Sequence, residues 1–165
     1  MTHSVAEKVS SFKIFSGYPV AASFSNRGLD LGFDCPEYKK NRKEFLRFLD
    51  VDYDNFVCAR QVHSANVVEV CKKDAGRVIC DTDALITKAE HLALAVFTAD
   101  CPSVFIYDSI NNASGLVHAG WRGAKDKILQ KTDYLAYLDD GSEIGKGRIE
   151  NVKELRSVAE EFPNL

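Results

Sequence analysis

The chain has 165 residues, of which 45% are hydrophobic, and a formal net charge of −3 at pH 7. This length suits one compact domain with an appendage, and the charge argues against a nucleic-acid or anionic membrane surface as partner. The longest apolar run, residues 92–97, is far shorter than the roughly 20 residues that span a bilayer. Five cysteines with no CxxC pair, and no signal-peptide pattern, predict a reduced, cytoplasmic protein.

The first 50 residues predict two strands followed by a helix. Apolar and polar residues alternate around residues 12–15 and 20–24, with a glycine and proline turn at 17–19 between them. Asp34 is placed to cap a helix with Pro36 in its first turn, and apolar residues continue that helix to about Leu49.

From residue 56 the hydrophobic period shortens to that of strands, which predicts an α/β (α+β) fold built on a mixed sheet. The predicted strands cover residues 56–59, 66–70, 84–87, 92–98, 103–107 and 114–118. Residues 92–97 are continuously apolar, so we expect them to form the innermost strand, with Cys101 following its end. After Gly123 the pattern becomes helical over 125–137 and 151–161, which divides the chain into a domain at 1–123 and a helical tail at 124–165.

Three side chains stand where strand-like runs end in polar or glycine-rich turns: His63, Cys101 and His118. Two imidazoles and one thiolate form a three-ligand set for zinc, which leaves a fourth position for water or substrate. Their spacing is far longer than that of a zinc finger and favours a catalytic site. A copper centre of this type usually adds an axial methionine, and the single methionine is Met1, so copper fits less well.

Each of these residues also has an ordinary structural interpretation. A single histidine in a strand is most often a surface or hydrogen-bonded core residue, and free cysteines are commonly inert small hydrophobes. The glycines after His118 are also explained by a tight strand-to-helix turn alone. Gln61 shares a strand face with His63 and can hydrogen-bond a ligand or simply pack, whereas Arg122 is always charged and suits a phosphate or carboxylate.

Four ordered motifs stand out along the chain: QVHS at 61–64, DALIT at 83–87, TADCP at 98–102 and HAGWRG at 118–123. Together they resemble the bacterial laccase-domain family, also called the polyphenol oxidase or YfiH family, over residues 20–123. The resemblance implies a YfiH-like fold with zinc bound by His63, Cys101 and His118. It also implies phosphorolysis of the purine nucleosides adenosine, inosine, guanosine and methylthioadenosine, together with adenosine deamination.

The implied reactions suggest roles for further residues. In phosphorolysis, phosphate attacks the ribose C1′, and the cationic candidates for binding it are Arg27, at the position of the family's N-terminal arginine motif, and Arg122. Gln61 is a candidate substrate contact. In deamination, zinc lowers the pKa of water to about 7 for attack on C6 of the purine, and Asp100 is the nearest carboxylate to carry a proton. An acid beside Cys101 is equally well explained as a structural cap, and the HxE and PCxxC signature of cytidine deaminases is absent.

The chain departs from the family after Gly123. Relatives continue with more strands, whereas residues 128–165 resemble a fragment of a UvrD or PcrA type helicase that lacks a Walker A motif. We therefore expect an incomplete fold, an uncovered sheet edge or core face, and reduced activity. The alternatives are a non-catalytic metal-binding or interaction module and a copper-dependent polyphenol oxidoreductase. Whether a homo-oligomer completes the site is left open by the sequence.

Overall fold

The structure is a computed structural model, and it describes residues 8–11, 17–26 and 28–132. In chain order the described strands and helices are β1 (Val9–Ser11), β2 (Ser23–Ser25), α1 (Tyr38–Phe48), β3 (Phe56–Arg60), β4 (Val67–Glu69), β5 (Val78–Cys80), β6 (Ala84–Thr87), β7 (Ala93–Ala95), β8 (Ser103–Asp108), β9 (Ala113–His118), α2 (Trp121–Lys125) and α3 (Ile128–Lys131). The expected mixed α and β class is confirmed. Within these ranges, no helix combines the length and apolarity needed to cross a bilayer.

Two larger sheets and one strand pair make up the β structure. Three parallel strands form a sheet in the order β5-β3-β7, and a four-stranded mixed sheet has the order β4-β6-β9-β8. In the second sheet β9 runs antiparallel to both β6 and β8, while β1 and β2 pair separately. Buried Val57 and Ala59 of β3 pack against Leu85 of β6, so the two larger sheets share one core.

A residue of α3 covers the other face of the four-stranded sheet. Successive residues of a strand point to opposite faces, so Ala84 turns away from the core that Leu85 enters. Ala84, Ile106 and Val117 form a second buried cluster, and Ile128 of α3 completes it with no exposed surface. Residues beyond Gly123 therefore contribute to the core of this fold, while the boundary at 123/124 stays a prediction.

The prediction that residues 92–97 form the innermost strand is wrong. Only Ala93–Ala95 form a strand, β7, which lies at an edge of the three-stranded sheet and is half-buried. The central strand is β3, whose first four residues are buried. A cleft of about 1000 Å³, lined by β7, α1 and the segment around β2, runs beside this edge. The apolar run thus borders an open space in the described residues instead of a second strand.

Three further predictions differ from the structure in detail. Helix α1 begins at Tyr38 and has Glu37, not Asp34, at its N-cap, so residues 34–37 precede the helix. Strands β1 and β5 are not predicted from the sequence, because three residues carry too little alternation to be recognised. The helix predicted over 125–137 is divided between α2 and α3, where Lys127 adopts a left-handed conformation with φ 62°, and its residues 133–137 lie outside the described residues. The strand predicted at 12–15 and the helix predicted at 151–161 lie outside the described residues.

The packing of α3 leads to a prediction about stability. Replacing buried Ile128 with Ala should lower the free energy of unfolding by about 3 kcal/mol, because it removes apolar contacts and leaves a cavity. Urea unfolding followed by circular dichroism measures the change. Ile110→Ala is the matched control, since Ile110 is 70% exposed and should tolerate truncation. Equal losses in the two variants would show that α3 does not close the core.

Candidate metal centre

His63, Cys101 and His118 come together at one point of the fold. Their ligand atoms all lie within 4.8 Å of one another, and the Nε2 atom of His63 is 4.0 Å from the Sγ atom of Cys101. Bonds from zinc to nitrogen and sulfur are about 2.0 and 2.3 Å long, so ligand atoms around one ion lie roughly 3.5 Å apart. The three side chains therefore need only a small contraction to bind one ion. His63 is exposed and His118 is buried, so the centre is open on the His63 side.

Strand register brings Cys101 to His118. His118 is the last residue of β9 and pairs with Ser103, the first residue of β8. One residue, Pro102, separates Cys101 from Ser103, and the Ala119 N–H donates to the carbonyl of Pro102 over 2.9 Å. The antiparallel pair β8 and β9 thus places both side chains at the same end of the sheet.

His63 is held by an unusual turn after β3. Its φ of 58° is in the left-handed region, which non-glycine residues seldom adopt. This conformation directs the successive N–H groups of Val62, His63 and Ser64 at the carboxylate of Asp83, over 3.2, 3.0 and 2.8 Å. The Ser64 hydroxyl donates to the same carboxylate over 2.8 Å. The strained turn is therefore stabilised by an acceptor on the residue that directly precedes β6.

Asp83 also orients His118. It is fully buried just before β6, and the pairing of Ala84 with Val117 places it beside His118. The Nδ1 atom of His118 lies 2.8 Å from the Asp83 carboxylate, so Nδ1–H donates and Nε2 is left for an ion. Burial by itself would raise the pKa of Asp83, but hydrogen bonds from His118, Ser64 and Val62 hold that pKa below its ordinary value. Asp83 lies in the DALIT motif, and the sequence alone gives it no role in the site. The available signal is an acid directly before a buried strand.

Gly120 lies directly beside all three candidate ligands. A Cβ atom at this position would lie 3.1 Å from Cδ2 of His63, 3.4 Å from Cε1 of His118 and 3.6 Å from Sγ of Cys101. The 3.1 Å contact is tighter than nine in ten real Cβ contacts, so the His63 ring would have to shift by a few tenths of an ångström to admit a side chain at this position. The contacts to His118 and Cys101 are ordinary van der Waals distances. The absence of a side chain at Gly120 thus leaves room for the His63 ring beside the other two candidate ligands.

The thiol of Cys101 is not activated by the protein alone. Burial, together with the negative charges of Asp100 and Asp83, raises the pKa of Cys101 above its ordinary value. A thiolate at this position therefore needs a cation beside it. Asp100 is exposed and adjacent to that thiol, which is compatible with a proton carrier and with a structural role.

The other predicted site residues occupy different positions. Arg122 is exposed in α2, with its guanidinium carbon 5.2 Å from the centroid of the Trp121 ring. The amide of Gln61 is hydrogen-bonded through both of its polar groups to the backbone of Phe97, so a substrate contact would compete with these bonds. Arg27 lies outside the described residues. The roles of these three residues in binding substrate or phosphate stay predictions.

Comparison with known proteins identifies the family. A family model described as multi-copper polyphenol oxidoreductase laccase matches residues 17–142. The chain belongs to this laccase family. The match extends past Gly123, and the resemblance of residues 128–165 to a helicase fragment stays a prediction.

Relatives within the laccase family carry a different name. The chain is 33% identical over 113 residues to a purine nucleoside phosphorylase of Clostridium acetobutylicum, which covers 67% of this chain and 44% of that protein. It is 37% identical over 112 residues to a purine nucleoside phosphorylase of Corynebacterium glutamicum, covering 67% and 45%. The chain thus spans less than half the length of these relatives.

Solved structures confirm the fold. The YfiH protein of Bacillus licheniformis superposes with a TM-score of 0.65 at 26% identity, covering 74% of this chain and 54% of that chain. The YlmD protein of Geobacillus stearothermophilus superposes with a TM-score of 0.60 at 29% identity, covering 65% and 44%. The YfiH-like laccase-domain fold expected from the four motifs is therefore confirmed.

The environment of Asp83 predicts a pH dependence. Replacing Asp83 with Asn should cost about 3 kcal/mol at pH 7, because one amide oxygen cannot accept the hydrogen bonds of a buried carboxylate. The pKa of Asp83 is held below 3.8 in the folded state, so its stabilisation is present above that pH and is lost as the pH falls through the lowered pKa. The difference in unfolding free energy between wild type and variant should therefore shrink below about pH 4.

Urea unfolding at several pH values measures this difference, with Asp52→Asn as the control because Asp52 is exposed. A difference that stays constant from pH 7 to the acid range would contradict the ionised state of Asp83.

The crowding at Gly120 predicts a loss of metal affinity. Gly120→Ala should weaken binding of Zn²⁺ or Co²⁺ at least about tenfold, because the new methyl group separates the ligands. Competition with a chromophoric chelator measures the affinity. Gly115→Ala serves as control, since its Cβ would meet Ile86 at 3.3 Å within the sheet, away from the ligands. Equal affinity in Gly120→Ala and wild type would show that the ion is not bound above this glycine.

Proposed function

We propose that the chain carries the metal centre of a zinc-dependent purine nucleoside phosphorylase that also deaminates adenosine. The observation that carries the proposal is the convergence of His63, Cys101 and His118, with His118 oriented by the buried carboxylate of Asp83. A ligating histidine whose second nitrogen donates to a carboxylate is the usual arrangement in zinc proteins. The names of the relatives, at 33 and 37% identity, support the choice of substrate class.

The donor set supports zinc over copper. Two imidazoles and one thiolate suit zinc, and three protein ligands leave a position for substrate or water, as catalytic zinc sites do. Copper electron-transfer sites with the same three ligands add a weak axial ligand, most often methionine. The single methionine of the sequence is Met1, far along the chain from these residues.

Each of the protein's own groups at the centre has a separate proposed role in the reaction. His63 and Cys101 form the outer side of the centre, and His118 forms its buried side. When bound, zinc would supply a Lewis acid that polarises the substrate or lowers the pKa of water. We assign Asp100, an exposed acid next to Cys101 in the sequence, as the group that gives or takes a proton during deamination.

Phosphate needs a cationic partner during phosphorolysis. The oxygen of phosphate attacks C1′ of the ribose as the bond from C1′ to the purine nitrogen breaks. Arg122 is exposed two residues after Gly120, and we assign its guanidinium, which suits bidentate binding of phosphate, as one phosphate ligand. Arg27 is the second proposed phosphate ligand.

The deciding experiment combines metal analysis with a phosphate-dependent assay of inosine and adenosine. The wild-type chain should bind about one equivalent of zinc per chain and release hypoxanthine only when phosphate is present. Cys101→Ala should lose the metal and at least ~100-fold in turnover, since one of three ligands is removed. Cys80→Ala is the matched control, because Cys80 is a free, exposed cysteine on β5.

Other results would favour other functions. Turnover that survives Cys101→Ala would overturn the catalytic role of the centre. Zinc bound without turnover of any purine nucleoside would indicate a non-catalytic metal-binding module. Oxidation of phenols that requires added copper would support the polyphenol oxidoreductase function that the family description names.

A further inference from the structure

The side chain of Gln61 continues the pairing between β3 and β7 past the ends of both strands. Parallel pairing of β3 with β7 runs from Phe56 opposite Ala93 to Cys58 opposite Ala95. Past these strand ends, the Gln61 Nε2–H donates to the carbonyl of Phe97 over 2.6 Å, and the Phe97 N–H donates to Gln61 Oε1 over 3.2 Å. A side-chain amide thus satisfies both backbone groups of Phe97, as a neighbouring strand would.

This pairing joins the two segments that carry His63 and Cys101. Gln61 is two residues before His63, and Phe97 is four residues before Cys101. The segment from Phe97 to Pro102 is therefore fixed at both ends, by Gln61 at Phe97 and by the Ala119 N–H at Pro102. A chain that short, fixed at both ends, has little freedom to move its cysteine.

The ring of Phe97 is also held by packing contacts. The guanidinium carbon of Arg42, a buried residue of α1, lies 4.2 Å from the ring centroid of Phe97. Phe33 packs edge to face on the same ring, with centroids 5.3 Å apart. Phe97 also packs against the buried cluster that contains Leu46 and Phe56. Gln61 therefore connects the turn of His63 to a residue that the core already immobilises.

We propose that Gln61 is a positioning residue of the metal centre, which sets the separation between His63 and Cys101 by binding the backbone of Phe97. This role rests on the proposed metal centre and replaces a direct contact between Gln61 and substrate. Residues outside the ligand set that orient it typically change metal affinity 10 to 100-fold when they are substituted.

The test uses Gln61→Met, which keeps the length of the side chain and removes both hydrogen bonds, and Gln61→Glu, which keeps the acceptor and loses the donor. In the metal-free chain, amide hydrogen exchange of residues 97–101 should be at least about tenfold faster in Gln61→Met than in wild type. Affinity for Co²⁺ should fall about tenfold, with a shifted thiolate-to-cobalt absorption band. Gln61→Glu should lie between the two.

Val70→Ala controls for a general loss of stability, because Val70 is buried in a cluster that includes neither Phe97 nor any of the three candidate ligands. Unchanged exchange at 97–101 in Gln61→Met, or the same change in Val70→Ala, would overturn the role of Gln61. If the wild-type chain binds no Co²⁺ while amides 97–101 still exchange faster in Gln61→Met, Gln61 holds the backbone of Phe97 as proposed. The proposed metal centre is then wrong.

Discussion

A single buried carboxylate connects the segments that carry both histidines. Asp83 accepts hydrogen bonds from the N–H groups of Val62, His63 and Ser64, from the Ser64 hydroxyl and from the His118 ring. An ionised carboxylate taken out of water is costly unless such bonds compensate it, and here they do. The same bonds stabilise the left-handed conformation of His63, which non-glycine residues seldom adopt. The geometry of the candidate centre therefore depends on Asp83 although Asp83 is not one of the three proposed ligands.

The three proposed ligands are held by different local interactions, although two of them share Asp83. His118 is placed by strand register, and His63 by a turn that folds around Asp83. Cys101 lies in a short segment fixed at Phe97 and at Pro102. The centre thus lies where the three-stranded and four-stranded sheets meet, and each sheet contributes to it. Such a junction suits a ligand site, because rigid elements on both sides limit the movement of the ligands.

The electrostatics of the centre favour a bound cation. Partial burial, together with the nearby carboxylates of Asp100 and Asp83, raises the pKa of Cys101, so the thiolate is unfavourable without a positive partner. A divalent ion between His63, Cys101 and His118 would reverse that balance, because a coordinated thiol loses its proton. The carboxylates that disfavour the free thiolate would then attract the ion. The exposed position of His63 leaves one side open, where a substrate can approach.

The sequence by itself determined which residues are the candidate ligands and where most strands lie. His63, Cys101 and His118 are recognisable because each follows an apolar run and precedes a polar or glycine-rich turn, and β6, β8 and β9 stand out as short apolar-rich runs. Only the tertiary structure decided that β3 and not β7 is central, and that Asp83 and Gln61 act on the centre through hydrogen bonds. The hydrophobic period of a segment indicates which of its faces is buried, but it does not indicate which other segments lie beside it. The contacts of Asp83 and Gln61 join residues 19 to 36 positions apart, so they exist only once the chain has closed on itself.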